Sequence, residues 1–194
     1  MKLVFATHNI HKLKEIQALL PQTIELLSLS DIGCNEEIVE TAATIEGNAL
    51  LKAQYVKKHY HYDVFADDTG LEVTALGGAP GVFSARYAGT QKSDIDNIAL
   101  LLKNMEAQQD RSAHFKTVIA LCMGDEVRTF EGIAKGYITK EPVGTNGFGY
   151  DPIFVPEGYL QTFAELSAAE KNRISHRARA FGKLIGALGE LPSN

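Results

Sequence analysis

Apolar and polar positions along this chain alternate between a strand period and a helix period. Leu3-Val4-Phe5-Ala6-Thr7 is an unbroken β-rich run, the pattern of a strand buried on both faces. After a polar turn, Leu13, Ile16, Leu19 and Leu20 recur at helical spacing until Pro21 ends the run. Residues 24–29 are apolar and short enough for a second strand, and 31–44 are polar and irregular. From Ile45, the positions Ala49, Lys52, Ala53 and Val56 predict an amphipathic helix to about His59. Val64-Phe65-Ala66 predicts a short buried strand that ends at Asp67-Asp68-Thr69-Gly70, and a glycine-rich stretch, Gly77-Gly78-Ala79-Pro80-Gly81, follows. Ile98, Leu101, Leu102 and Met105 place a helix over 96–105. Residues 113–123 and 126–138 read as two long strands joined by a tight turn at Gly124-Asp125. Residues 144–152 are turn-rich. Ser167-Ala168-Ala169-Glu170 has capping-box spacing and predicts a helix start, and a last helix is expected over about 176–188. Strands and helices interleave without repeat, low-complexity tract or linker, which predicts an α/β fold with a mixed sheet, the hairpin supplying antiparallel pairing.

Composition narrows the function more than the fold. The 194 residues suit one domain or two merged lobes. With 45% hydrophobic and 22% charged residues, disordered, collagenous and disulfide-scaffold classes are excluded. No apolar run approaches the ~20 residues of a membrane helix, and the opening segment 1–6 is expected to be a core strand and not a signal peptide. Cys34 and Cys122 stand far apart without metal-type spacing, so reduced thiols and a cytoplasmic location are expected. Lysine and arginine number 19 against 24 acids, a net charge of −5. A broad nucleic-acid face is therefore not expected. An anionic ligand would have to be held locally, by a few placed cations, backbone amides or a metal ion.

Five constellations could carry chemistry. Thr7-His8-Asn9-Ile10-His11-Lys12 stands where strand gives way to helix, where free amides and the helix dipole favour phosphate. The simpler reading is Thr7 or Asn9 as an N-cap and Lys12 as a solvated side chain, and the Walker pattern is absent. Asp67-Asp68-Thr69-Gly70 pairs two acids that a strand would point to opposite faces. Such acids suit Mg²⁺ and equally suit a polar turn. Asn48 and Lys52 share a helix face, with Glu40 upstream, and the face is either a phosphate contact or a solvated stripe. The loop from Gly144 to Asp151 offers Phe148 and Tyr150 for stacking on a planar base, or for packing beneath the loop. Lys171 precedes Ser175-His176-Arg177, where cations follow an N-cap at the end of the dipole that disfavours them, a broken local rule that points to an anion or carbonyl oxygen. His59, His61, His114 and the cysteines form no ligand set, and neither a Gly-x-Ser-x-Gly elbow nor a dinucleotide fingerprint is present.

Taken in order, these segments resemble the inosine triphosphate pyrophosphatase family, which acts on non-standard purine nucleoside triphosphates. The resemblance runs from Ala6–Lys12 through Asn48–Ala53, Ala66–Leu71, Leu76–Gly81 and Ser84–Tyr87 to Gly147–Pro152, Ala164–Leu166, Lys171 and Ser175–Arg177. His8 stands where glycine is frequent, and Thr69 where serine is usual. The resemblance implies a hydrolase acting on acid anhydrides, cutting ITP, dITP or XTP between the α- and β-phosphates. It implies an elongated α/β fold with a long curved mixed β-sheet and flanking helices forming two lobes around a central cleft. A homodimer and a Mg²⁺ cofactor are also implied. By motif position Asp68 would be the general base and, with Glu40, a metal ligand. Thr7, His8, Asn9, Ile10, His11, Lys12, Lys52 and Thr69 would hold the triphosphate. Phe148, Gly149, Tyr150, Asp151, Lys171, His176 and Arg177 would hold the nucleoside. Lys12 and Lys52 would supply the positive charge that the chain as a whole lacks. Two rival readings are a Maf-like pyrophosphatase acting on modified pyrimidine nucleotides and a non-catalytic nucleotide-binding module. The retained acids Glu40 and Asp68 weigh against the second.

Overall fold

Leu3, Val4 and Phe5 are fully buried in the first strand, β1 (Lys2–Phe5), which the apolar run predicts. The structure is a computed structural model that describes residues 1–17 and 20–189, the side chains of Ile10, His11, Lys14 and Glu15 lying outside that description. Helix α1 (Ile10–Gln17) follows, and its expected continuation through Leu19 lies outside the described residues. Next come β2 (Glu25–Leu27), α2 (Ile45–Tyr60), β3 (Val64–Val73), α3 (Asp94–Asn104), β4 (Ser112–Met123), β5 (Glu126–Ile138), β6 (Phe154–Pro156), α4 (Ala168–Ile174) and α5 (His176–Gly189).

The six strands pair in the order β2-β1-β3-β4-β5-β6. β1 runs parallel to β2 and to β3, with Leu3 opposite Leu26 and Phe5 opposite Phe65. β4 and β5 are sheet neighbours separated only by Gly124-Asp125, a connection that permits antiparallel pairing alone. β6 pairs antiparallel with β5, Tyr137 opposite Val155. The sheet is thus mixed, with helices flanking it, as the interleaved pattern predicts. β6 has only three residues, too few to carry a period of their own, and its Pro156 is tolerated because the strand lies at an edge.

One expectation is corrected. β3 does not end at Asp67: it continues to Val73, so Asp67-Asp68-Thr69-Gly70 is strand, not turn. Leu71 and Val73 are fully buried, and this second apolar stretch extends the strand past the polar residues.

The chain divides into two compact units. The first comprises Met1–Asp68, Val118–Glu131 and the chain from Ala180; the second comprises Thr69–Thr117 and Gly132–Arg179. The first is centred on Phe5, Phe65 and Phe181, with Phe5 stacked on Phe65 at 4.5 Å and Phe181 edge-on to both at 6.0 Å. Burying each such ring is worth about 1.5–3 kcal/mol. The second is centred on Phe115, Phe154 and Phe163 with Leu71, Leu101 and Ile138 around them. Cys34 and Cys122 are free and buried. Among the described residues no helix is long and apolar enough to cross a membrane.

Helix starts follow the polar caps in the sequence. Thr44 Oγ1 accepts the Gly47 N–H at 3.0 Å to open α2, and Ser167 Oγ accepts the Glu170 N–H at 3.1 Å to open α4. At the second cap, the Glu170 carboxylate is engaged by Arg173 one turn along the same helix and by the Tyr159 hydroxyl from outside it.

Candidate active site

Asp67 and Asp68 follow one another on β3, and the pleat gives them different partners. Asp67 is 2% exposed and accepts two hydrogen bonds from Lys12 Nζ, at 2.9 and 2.8 Å. Asp68 faces Lys52 of α2, its Oδ1 lying 3.9 Å from Nζ. The same ammonium donates to Glu40 Oε1 at 2.5 Å. The structure therefore brings Lys12, Glu40, Lys52 and Asp68 together within the first unit, with Asp67 as a member that sequence reading did not assign a role. Strand alternation already set the two acids on opposite faces in the sequence; what Asp67 faces came only from the fold.

Burial alone would push the Lys52 ammonium down, but Asp67, Asp68 and Glu40 outweigh it and hold its pKa above the ordinary lysine value. Lys12 and Lys52, the two cations expected to serve a triphosphate, are each set against carboxylates: Lys12 against Asp67, and Lys52 against Glu40 and Asp68. Among the described residues no three Asp, Glu, His or Cys side chains converge as a metal-binding group. Glu40 and Asp68 instead form a hard, two-carboxylate donor set on either side of one ammonium. That set fits Mg²⁺, which takes one or two carboxylates and fills its other positions with phosphate oxygens and water.

The entry to α1 is an ordinary capped turn. Thr7 Oγ1 accepts the Asn9 N–H at 3.2 Å, and Asn9 Oδ1 accepts the Lys12 N–H at 3.3 Å. Asn9 is thus the N-cap, and Lys12 is drawn from solvent to Asp67. The backbone of Ile10 and His11 forms the first turn, while their side chains lie outside the described residues. The His8 ring Nε2 lies 3.2 Å from the Glu36 carbonyl oxygen. The Glu36 side chain accepts from the hydroxyls of Tyr60 at 2.7 Å and Tyr55 at 2.8 Å, and the Tyr60 bond chiefly holds its pKa down to about 2. The side chain that replaces a frequent glycine therefore points away to a neighbouring loop and is anchored there. A cavity of about 430 Å³ beside this turn is lined by Thr7, His8, Ser28 and Asp31 among others, and by neither lysine. Among the described residues that line it there is no lysine or arginine.

In the second unit, Thr69 and Thr117 share a hydrogen bond of 2.7 Å between their hydroxyls. The loop from Gly144 is built around the buried carboxylate of Asp151. Oδ2 accepts the Phe148 N–H at 2.9 Å and is paired with Lys171 Nζ. A Cβ on Gly147 (φ +78°) would fall 2.0 Å from that oxygen, so only glycine lets the backbone pass. The Gly149 N–H donates to Asp94 Oδ2 at 2.7 Å, a second carboxylate that sequence reading did not identify. Phe148 is 60% exposed, with Lys171 Nζ at 4.8 Å and the Arg177 guanidinium at 5.5 Å from its ring centre. It is an open aromatic face bracketed by donors. Tyr150 differs: it is 4% exposed, its hydroxyl donates to the Ser84 carbonyl at 2.8 Å, and burial pushes its phenol well up. Of the two aromatics offered for stacking, Phe148 alone has an available ring. Ser175 Oγ accepts the Ala178 N–H at 3.2 Å, the N-cap that was expected. Beside it the His176 ring is buried against Phe115, 4.7 Å away and nearly parallel, and Arg177 is only partly covered.

Comparison with known proteins places these features in context. A model of the Ham1 family matches residues 3–187. A dITP/XTP pyrophosphatase of Christiangramia forsetii is 57% identical over 190 residues, covering 98% of this chain and 100% of that protein. The dITP/XTP pyrophosphatase of Bacillus subtilis is 48% identical over 185 residues, covering 93% of each. Among solved structures, a HAM1 protein from Coxiella burnetii superposes with a TM-score of 0.94 at 40% identity, covering 98% of this chain and 100% of that one. The Ham1 protein of Staphylococcus aureus gives 0.93 at 39% identity, covering 97% and 98%.

Proposed function

Because the chain belongs to the Ham1 family, we propose that it hydrolyses dITP, XTP and ITP between the α- and β-phosphates, yielding the monophosphate and pyrophosphate. The observation that carries this reading is the placement of Lys52 between Glu40 and Asp68. The carboxylates of Glu40 and Asp68 would repel a triphosphate on their own, and a divalent cation held by them would offset that repulsion. Bound Mg²⁺ would supply charge neutralisation and an acidified water.

The chain's own groups do the rest. Asp68 accepts the proton of the attacking water as its oxygen bonds to phosphorus, and the bond to the departing pyrophosphate oxygen breaks. Lys52 pairs with both Glu40 and Asp68 and holds the two carboxylates near one another. Lys12, fixed by Asp67, and the amides at the start of α1 bind phosphate oxygens. In the second unit Phe148 offers its ring to the base, and Lys171 and Arg177 offer donors. Asp151 orients Lys171 and, through the Phe148 N–H, the loop that carries the ring. Ready pyrophosphate release from dITP, XTP and ITP, with poor release from ATP and none from dTTP, is the expected assay result. Cleavage of modified pyrimidine nucleotides instead would favour the Maf-like reading, and binding without release a non-catalytic module.

Selection rests on the 6-oxo group. Arg177 has donors only, so it suits the 6-oxo acceptor of hypoxanthine and xanthine and opposes the 6-amino donor of adenine. Arg177→Ala is expected to lower kcat/KM for ITP by roughly 1.5–3 kcal/mol, with a much smaller loss for ATP, so that the ITP to ATP ratio narrows. Equal proportional losses in steady-state kinetics would assign Arg177 to phosphate or structure instead.

The reading includes a homodimer. Phe83, next to the apolar segment 77–82, is 56% exposed, and that segment is the surface a second copy would cover. Sedimentation at micromolar concentration should give about twice 21.2 kDa. A clean monomer would overturn it.

A further inference from the structure

We infer that Asn48 is a positioning residue: it sets the place of Glu40 against Lys52, and through Glu40 the affinity for the divalent ion. The inference rests on the assignment of Glu40 as a metal ligand above.

Asn48 lies in the first turn of α2 and is fully buried. Its Oδ1 accepts the backbone N–H of Ala42 at 2.9 Å, two residues beyond Glu40. Its Nδ2 is buried and, among the described residues, has no hydrogen-bond partner. An unsatisfied buried donor is costly, and an apolar side chain at this place would avoid the cost. What an apolar side chain could not supply is the acceptor for Ala42.

The neighbouring residue points the same way. A Cβ on Gly47 would lie 2.7 Å from Ala42 Cβ and 2.9 Å from Thr44 Oγ1, so the segment 42–44 rests against the one position of this helical turn that lacks a side chain. Thr44 closes the contact from the other side by capping the Gly47 N–H. Residues 38–42 belong to no helix or strand, so no ladder of regular bonds holds Glu40 in place. Asn48 and Lys52 are one turn apart on α2. One rigid helix therefore supplies the ammonium that Glu40 pairs with and the amide that clamps the segment carrying Glu40. Groups that orient a metal ligand without touching the metal act in this way.

The test is a Mn²⁺ titration of the full chain followed by loss of the free-ion EPR signal, with thermal melts in parallel. Glu40→Gln is the benchmark. Asn48→Ala should weaken Mn²⁺ binding about 10–100-fold, and in the Glu40→Gln background it should cause no further loss, because both changes remove one contribution. Gly47→Ala gives a second route that leaves Asn48 intact. Alanine favours the helix, so α2 should persist, yet the added Cβ displaces Ala42 and should weaken Mn²⁺ binding in the same direction. Unchanged binding in Asn48→Ala and Gly47→Ala, with lower melting temperatures only, would reduce both residues to packing and overturn the inference. Equal losses from Asn48→Ala in the presence and absence of Glu40 would overturn it too. If Glu40→Gln itself left Mn²⁺ binding intact, the metal-ligand assignment would fail, and the inference with it.

Discussion

Asp68→Asn should lose about 10²- to 10⁴-fold in turnover on ITP, the usual worth of a positioned general base, while the chain still folds. The substitution is nearly isosteric, and the residue stands within a strand whose flanking apolar positions, Ala66 and Leu71, are fully buried whatever its charge. Two contributions act in one direction. Asparagine cannot take a proton from water at neutral pH, and as a neutral ligand it holds a divalent ion less firmly than a carboxylate. Steady-state kinetics over a Mg²⁺ series separates them. If raising Mg²⁺ restores part of the activity but leaves a loss of 10²-fold or more, the remainder belongs to proton transfer. Near-normal turnover at saturating Mg²⁺ would remove Asp68 from the mechanism.

The second large effect is expected at Lys12 and Asp67, and it is asymmetric. Lys12→Met removes the ammonium that donates twice to a carboxylate only 2% exposed, and breaking a buried pair from that side costs about 3–5 kcal/mol. Asp67→Asn leaves the ammonium, whose side chain is 25% exposed and can turn toward water, so the cost should be smaller, about 1–3 kcal/mol. In the double variant the buried carboxylate charge is removed together with its Lys12 partner, and much of the stability lost in Lys12→Met should return. Activity should not return with it, because the cation meant for phosphate is then absent. Urea unfolding gives the stabilities and nucleotide KM gives the function. If the two single losses simply added in the double variant, the bidentate pair would not be the coupling seen here, and Asp67 would have no claim to position Lys12.

The local chemistry of the chain was enough to determine most of its elements. Leu3-Val4-Phe5 could hardly be other than a buried strand, and the spacing of Ile45, Ala49, Ala53 and Val56 could form one buried helix face and little else. The caps at Ser167 and Ser175 were legible because a hydroxyl satisfies an orphan amide within three residues, whereas the Thr44 cap of α2 was not singled out. The order of the motifs pointed to the family, and in the structure Glu40 and Asp68 both lie against Lys52. Tertiary structure decided what each charged group faces. Whether Lys12 is a solvated cation or half of a pair depends on Asp67, 55 residues away, and no period within either segment encodes that meeting. The same holds for Asp94 against Gly149, for His8 against Glu36, and for Tyr150, whose hydroxyl donates to Ser84, 66 residues distant. β3 outran its expected end because Leu71 and Val73 are buried in the second unit's core, and that burial outweighs three polar residues and a glycine in the middle of the strand. A side chain's period is a property of its own segment. Its partner, and hence its charge balance and chemistry, is a property of packing between segments that the sequence places far apart.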